Sequence, residues 1–377
     1  QRFLRMYPGI SLEEARNWYN TGCVTTRPGH GLESFGGGFI NMAKMLELAL
    51  NNGKDPRTGV QIGPETGHAR DYKSYQELCE AARKQIQYLL PWIREHQGVG
   101  NVLHGEMLPL PFASAFCDDC IGRGLDLLDG GARYRGDFGT LVVATIDLAN
   151  SLAAIKKLVF EEKRISMDEL MAALAANFEG YEELQRLLLD APKYGNDDDY
   201  VDSIAKEWYD IFAGEHTKRD LPGKPTTPEA LSDTVHSWIG RLTGALPSGR
   251  KAWIALTDAS VSAMPGTDVN GPTALVKSAT KVQDTVKYGS SHLNMKFLPS
   301  ALEGREGLKK LLALIKTYMD LGGSHVQFNC VSNETLKEAQ LHPENYRDLA
   351  VRVAGFSASF IHLDKGVQDE IIKRVEL

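Results

Sequence analysis

Arg352-Val-Ala-Gly355-Phe-Ser-Ala358, near the end of the chain, and Thr21-Gly22-Cys23-Val24, near its start, are the two stretches on which the reading of this sequence turns. On its own, Gly355 reads as a glycine turn between a strand and a loop, with Phe356 and Phe360 packing around it. Cys23 reads either as a small buried cysteine at a strand end or as a reactive sulfur held on a tight turn. The second reading has a physical basis. Gly22 and the polar, glycine-rich run 25–38 that follows would let the backbone come close to a substrate, and a loop of about 15 residues inside a compact domain is usually functional or disordered. Composition and spacing alone leave these alternatives open.

Outward from these stretches the chain reads as globular. With 377 residues it suits two or three domains, or one large α/β barrel, at roughly 150 residues per domain. A chain of this length buries a sizeable core without disulfide or metal staples. A net charge of −7 argues against a nucleic-acid binder working through a broad basic surface. The longest apolar stretch, 140–160, contains Asp147, Asn150, Lys156 and Lys157, so it reads as a buried helix and not a membrane span. The five scattered cysteines do not form a secreted disulfide framework, which points to a reducing cytoplasm. Cys117-Asp-Asp-Cys120 is a lone CxxC with no second pair for zinc, and reads as a structural pair on a helix.

Helices are expected at 11–19, opened by the capping box Ser11-Leu-Glu-Glu14, from 39 to a glycine cap at Gly53, and over 74–95, 111–127, 140–161, 166–177, 182–189 and 199–213. Helices at 304–321, from 333 and from 367 complete the series. Strand candidates are 235–243, 252–256, 326–329 and 350–353. Residues 217–227 read as an exposed connection, and 260–272 are dense in turn residues. Asp197 to Asp199 lack the glycine and terminal Glu of a calcium loop and suit a helix N-cap. Gly36-Gly-Gly38 has no following Lys-Ser/Thr and suits a packed turn, not a phosphate loop. His292 and His325 suit packing and backbone hydrogen bonds. No metal site is expected.

Taken together, the two stretches and several between them resemble the glycyl radical enzymes of the pyruvate formate-lyase type. The resemblance is carried by Arg352-Val-Ala-Gly355-Phe-Ser-Ala358 with Gln368-Asp-Glu-Ile-Ile372 downstream, and by the cysteine-loop segment ending at Thr21-Gly-Cys-Val24. Further segments occur in family order: Cys117 to Tyr134, Ala191-Pro-Lys-Tyr-Gly-Asn-Asp-Asp-Asp199, Gly244-Ala-Leu-Pro-Ser-Gly-Arg250 and Gly266-Thr-Asp-Val-Asn-Gly-Pro-Thr273. Together they cover nearly the whole chain.

The resemblance implies an α/β fold, a ten-stranded barrel wrapped by helices, of which these residues would be the C-terminal half. Residues 1–290 would hold barrel and cysteine loop (about 20–38), and 291–377 the glycyl radical domain. It implies a radical stored on Gly355 and a thiyl on Cys23, with no cofactor bound for catalysis. The radical would be installed after translation by a radical S-adenosylmethionine activating enzyme. A small-molecule substrate, a homodimer, and no nucleic-acid or membrane partner complete the expectation. The chemistry suits the residue types. A glycine Cα radical is stabilised between an amide nitrogen and a carbonyl, and the weak S–H bond of cysteine lets hydrogen pass between the two.

The residues after Cys23 bear on the reaction. Dehydratases and related lyases of the family typically read Gly-Cys-Val-Glu, the glutamate serving as a base. Here Thr25 stands in that place, and its hydroxyl lacks a carboxylate's basicity. Pyruvate formate-lyase itself uses two adjacent cysteines, and here Val24 follows Cys23. Radical decarboxylation of an arylacetate such as phenylacetate is the leading expectation, although hydroxyphenylacetate members tend to carry the glutamate. Hydrocarbon addition to fumarate, of the benzylsuccinate or alkylsuccinate synthase type, or a dehydratase or other C–X lyase lacking the usual Glu, is the alternative. An inactive homologue or radical-domain spare part is the non-enzyme alternative. Thr25, Arg27 and His30 are the candidate substrate contacts, Arg27 as a possible partner for a carboxylate. The bland reading of Arg27 is a structural arginine, and that of His30 an exposed turn residue.

Overall fold

Local sequence sets most of the elements. The computed structural model describes residues 2–7, 9–29, 31–33, 38–218, 226–232, 234–289 and 291–377. Among these the strands are β1 (Trp18–Thr21), β2 (Thr25–Pro28), β3 (Gly31–Glu33), β4 (Phe39–Asn41), β5 (Tyr134–Val143), β6 (Thr226–Glu229), β7 (Leu293–Phe297), β8 (Val326–Cys330), β9 (Ala350–Arg352) and β10 (Ser357–Ser359). β5 pairs in parallel with β3, β4 and β6. β7 and β8 form a parallel pair joined through the helix Gly304–Asp320. β1–β2 and β9–β10 are antiparallel hairpins. The fold is α/β as expected, but among the described residues these strands lie in four sheets with no closed barrel. Closure requires every edge strand to find a neighbour, and among the described residues β6 and β7 are linked by the single parallel bridge of Ala230 with Ser291.

The apolar run from residue 140 departs from the expected single helix. Its first part is the end of β5, and Ala144 then takes a left-handed conformation (φ 63°) before the helix Thr145–Ile155 begins. A strand buried on both faces and a buried helix both read as unbroken apolar runs, and β-branched Thr140, Val142 and Val143 tip the first part to strand. Every residue of the helix is buried. Its polar side chains pin neighbouring loops: Asp147 Oδ2 accepts from Thr257 N at 2.9 Å and Asn150 Oδ1 from Tyr194 N at 2.9 Å.

Other expectations change as well. Phe39–Asn41 form β4 and the helix expected from 39 runs Met42–Leu50, and Thr226 and Thr227, expected in an exposed connection, are buried in β6. Residues 235–240 form the helix Val235–Gly240, buried except for an exposed Trp238. A short helix packed on nearly all sides has the apolar composition of a strand. Residues 252–256 form a turn, a bend and irregular backbone, not a strand. The expected helix at 111–127 is broken into Pro111–Ala115 and Cys120–Arg123, because Asp119 (φ 73°) and Gly124 (φ 65°) are left-handed. Cys117 and Cys120 are free thiols, with Cys120 packed on Leu127 and Leu128. Other expectations hold. The Ser11–Glu14 capping box opens Leu12–Arg16, Asp198 caps Asp199–Thr217, and the helix from 74 extends as Tyr75–Met107.

The motifs in the middle of the chain act as scaffold. Lys193 buries its ammonium against the carbonyls of Leu188 (2.5 Å) and Ala191 (2.9 Å). Burial lowers its pKa to about 8. Asn196 Nδ2 donates to Thr267 O at 2.7 Å, and Asn196 Oδ1 accepts from Asn270 N at 3.0 Å. The 191–199 segment thereby holds the 266–273 loop. Buried Arg250 donates to the carbonyls of Gly244 (2.9 Å), Gly240 (3.1 Å) and Ala255 (3.2 Å), closing the 244–250 turn.

Candidate active site

Cys23 sits at a hairpin tip. Thr21 and Thr25 are the last paired residues of β1 and β2, leaving Gly22, Cys23 and Val24 as a three-residue turn. Gly22 supplies the left-handed conformation (φ 58°) such a turn needs. Val24 anchors the tip by packing with Leu141 of β5 and with Leu231, and Cys23 lies against that cluster.

Gly355 sits at a second tip. Ser357 pairs with Arg352, so residues 353–356 form the connection, closed by Val353 N donating to Phe356 O at 2.9 Å. Val353 and Ala354 are fully buried, while Gly355 is half-buried. Gly355 has φ 85°, and a Cβ built on it would lie 2.8 Å from Cys23 Sγ, inside any real contact distance. Thus the tips meet through a glycine backbone and a cysteine side chain, with no room for a second side chain. A hydrogen atom could pass between the Cα and the sulfur without either segment moving far.

The β7–β8 sheet holds the Gly355 tip. Asn294 pairs in register with Gln327, and Lys296 with Asn329; these four polar residues are buried. Asn329 Nδ2 donates to Arg352 O, and Asn329 Oδ1 accepts from Arg352 N, both at 2.7 Å. Gln327 Oε1 accepts from Gly355 N at 3.1 Å and from Arg352 Nε at 2.8 Å. Arg352 Nη2 in turn donates to Gly355 O at 3.3 Å. Gln327 Nε2 donates to Asn294 Oδ1, and Asn294 Nδ2 donates to Asp258 Oδ2 and, at 3.0 Å, to Val353 O.

Charged groups complete the support. Arg374 forms a two-pronged pair with Glu370, at 2.8 Å on each oxygen, and also donates to Val353 O at 3.1 Å. Asp258 lies 3.4 Å from Arg374, and His236 Nε2 lies 3.7 Å from Glu370. Burial pushes the Glu370 carboxyl up, but Arg374 and His236 outweigh it and bring it to about 2. Burial disfavours a charge on His236, yet Glu370 raises its pKa above the ordinary value. Burial holds Asp258 above the usual carboxylate range against the pull of Arg374. The segment Gln368-Asp-Glu-Ile-Ile372 thus has a structural purpose. Glu370 grips Arg374, and Gln368 Nε2 donates to Phe360 O at 2.9 Å and Leu363 O at 3.2 Å.

The remaining sequence candidates are placed differently. Thr25 and Arg27 are buried on β2. Arg27 Nη1 lies 3.7 Å from buried Glu229 Oε1 and donates to Thr26 O at 3.3 Å, which supports the structural reading of this arginine. His30 lies outside the described residues. His292 and His325 stack edge to face with ring centres 4.7 Å apart. Burial and nearby positive charge keep both neutral, His325 at about 4. The sequence reading missed Asp258, Asn294, Gln327 and Asn329. The signal was present as polar residues at alternate positions in Leu293-Asn-Met-Lys-Phe297 and Val326-Gln-Phe-Asn-Cys330, a pattern usually taken for a solvated sheet face. Among the described residues no His/Cys/Asp/Glu group is arranged to hold a metal ion, and no helix is long and apolar enough to cross a membrane.

Comparisons with known proteins place the chain in a family. A family model described as "Pyruvate formate lyase-like" matches residues 4–240, and one described as "Glycine radical" matches residues 257–361. The chain is 42% identical to trans-4-hydroxy-L-proline dehydratase of Clostridioides difficile, covering 98% of this chain and 47% of that protein. It is 38% identical to indoleacetate decarboxylase of Tractidigestivibacter scatoligenes, covering 98% and 44%. The structure superposes on the glycerol-bound B12-independent glycerol dehydratase from Clostridium butyricum with a TM-score of 0.92 and 41% identity, over 98% of this chain and 47% of that one. The chain spans about half the length of these relatives.

Proposed function

We propose, from the premise that this chain belongs to the glycyl radical enzymes of the pyruvate formate-lyase type, that it serves as the radical-bearing part of a lyase. Gly355 stores the radical and Cys23 delivers it. The observation that carries this reading is the contact between the two hairpin tips, so close that a Cβ on Gly355 would lie 2.8 Å from Cys23 Sγ. Gly355 Cα• takes the hydrogen of the Cys23 thiol, leaving Gly355 Cα–H and a thiyl. The thiyl then opens the substrate, and the sequence reverses at the end of turnover. The partner is an activating enzyme of the radical S-adenosylmethionine class, which removes the first hydrogen atom from Gly355.

The substrate reading is decarboxylation of an arylacetate, in which a carboxylate is replaced by hydrogen and carbon dioxide leaves. Thr25 supports it by placing no carboxylate base on β2 beside the Cys23 turn, and the similarity to an indoleacetate decarboxylase supports it too. Dehydration of a small alcohol is the second reading, favoured by the similarity to two dehydratases. Activated full-length enzyme, screened without oxygen against phenylacetate, indoleacetate, 4-hydroxyphenylacetate, diols, hydroxyproline, and toluene with fumarate, distinguishes them. Conversion of an arylacetate alone supports decarboxylation; conversion of a diol or hydroxyproline alone sinks it.

A further inference from the structure

The Gly355 backbone is held from both sides of its Cα by a closed pair of side chains, and this pair has a consequence for the radical. Gln327 Oε1 accepts from Gly355 N at 3.1 Å, while Arg352 Nη2 donates to Gly355 O at 3.3 Å. The two side chains are joined to each other, Arg352 Nε donating to the same Gln327 oxygen at 2.8 Å. Both are held from behind. Gln327 is 6% exposed and donates to Asn294, and the Arg352 backbone is gripped at N and O by Asn329.

We propose that Gln327 and Arg352 are positioning residues that polarise the Gly355 peptide unit and thereby stabilise the radical against the parent C–H bond. This rests on the reading of Gly355 as the radical site. An unpaired electron on a glycine Cα gains stability because the amide nitrogen feeds density in and the carbonyl draws it out. An acceptor on the N–H strengthens the first effect. A cationic donor on the carbonyl strengthens the second, and charge-assisted hydrogen bonds are the stronger kind. Gln327 is buried, so its bond counts for more than it would in water.

The two groups act with the same sign, so they shift the exchange Gly355 Cα• + Cys23 S–H ⇌ Gly355 Cα–H + Cys23 S• towards storage on glycine. Full delocalisation also requires the peptide planes to align with a flattened Cα. The backbone must therefore turn from φ 85° towards the extended region, a movement open to glycine. Gln327 and Arg352 hold the polar atoms at either end of that movement.

The test uses the full-length enzyme, activated without oxygen and carrying 13C,15N-labelled glycine. Wild type is compared with Gln327→Leu, Gln327→Glu, Arg352→Leu and Arg352→Lys. Circular dichroism checks folding, and electron paramagnetic resonance (EPR) reads the Cα and nitrogen hyperfine couplings and the anoxic decay of the signal. Both leucine variants are expected to shift the couplings and speed decay, by about tenfold for Arg352→Leu, which loses a charge-assisted hydrogen bond, and by less for Gln327→Leu, which loses a neutral one at Gly355 N. Arg352→Lys should recover part of the lifetime. Gln327→Glu, the same shape with a stronger acceptor, should move the nitrogen coupling opposite to Gln327→Leu. Folded variants with wild-type couplings and decay overturn the proposal. If the leucine variants do not fold, unchanged couplings in Gln327→Glu and Arg352→Lys overturn it equally. A wild-type enzyme with no radical at Gly355 instead overturns the reading beneath it.

Discussion

Gly355 and Cys23, from opposite ends of the chain, are packed so closely that a single added carbon on the glycine would lie 2.8 Å from the cysteine sulfur. The left-handed backbone of Gly355 (φ 85°) and this contact together exclude every other residue type at the position. The first requirement comes from the tight connection between β9 and β10; the second comes from where the two tips meet.

Gly355→Ala should therefore fail twice. The left-handed conformation costs a side-chain residue roughly 1–2 kcal/mol, and the clash with Cys23 adds to it, so denaturant melts should show lower stability. The activated variant should give no glycyl EPR doublet. Activated wild type exposed to air should be cut at Gly355, releasing the segment beyond it. Mass spectrometry showing an intact activated chain after air exposure counts against Gly355.

Cys23→Ala should keep the glycyl signal and lose turnover, because storage and delivery are separate. A second measurement isolates the hydrogen exchange. In D2O the thiol becomes S–D, and reversible exchange returns deuterium to Gly355, collapsing the doublet towards a singlet. Cys23→Ala should keep the doublet in D2O. Turnover by this variant removes Cys23 from the mechanism.

Arg27 offers a test of two readings. With buried Glu229 beside it at 3.7 Å, Arg27→Ala should destabilise the protein by about 3–5 kcal/mol by removing one partner of a buried ion pair. Arg27→Ala with Glu229→Gln should recover much of that. A substrate-binding arginine would instead raise KM with little change in Tm.

The charges behind the radical loop predict a pH profile. Glu370, at about 2 in the folded protein, contributes stability that is complete above its ordinary value of 4.5 and is lost as pH falls towards about 2. His236, raised above 6.5, contributes stability that is complete below 6.5 and is lost as pH rises through its folded value. The groups facing this pair are Arg374 and Asp258. Denaturant melts across pH should show both slopes in wild type. Glu370→Gln should remove Glu370's share of the acid slope and weaken the alkaline one, and it should cost about 3–5 kcal/mol at neutral pH by breaking the two-pronged pair with Arg374. Identical profiles would show that the network does not tune stability.

Parts of this were legible beforehand and parts were not. The helix caps at Ser11 and Asp198 and the amphipathic helix Gly304–Asp320 follow from local rules, because capping and periodicity act over a few residues. The run from residue 140 was misread because two-sided burial erases the periodicity that separates strand from helix. Gln327, Asn294 and Asn329 went unnoticed because polar residues alternating on a strand usually mark its wet face. Here they mark a buried face turned to the Gly355 loop.

The sequence by itself determined the two residues on which the chemistry is proposed to rest, Cys23 behind the left-handed Gly22 and Gly355 within Arg352-Val-Ala-Gly-Phe. A turn's demand for glycine is written locally. Only the tertiary structure decided that the two tips touch, that Arg27 faces Glu229, and that Gln327 and Arg352 enclose the Gly355 peptide. Those relations join residues far apart along the chain. They depend on how the sheets and hairpins pack, which no local propensity encodes.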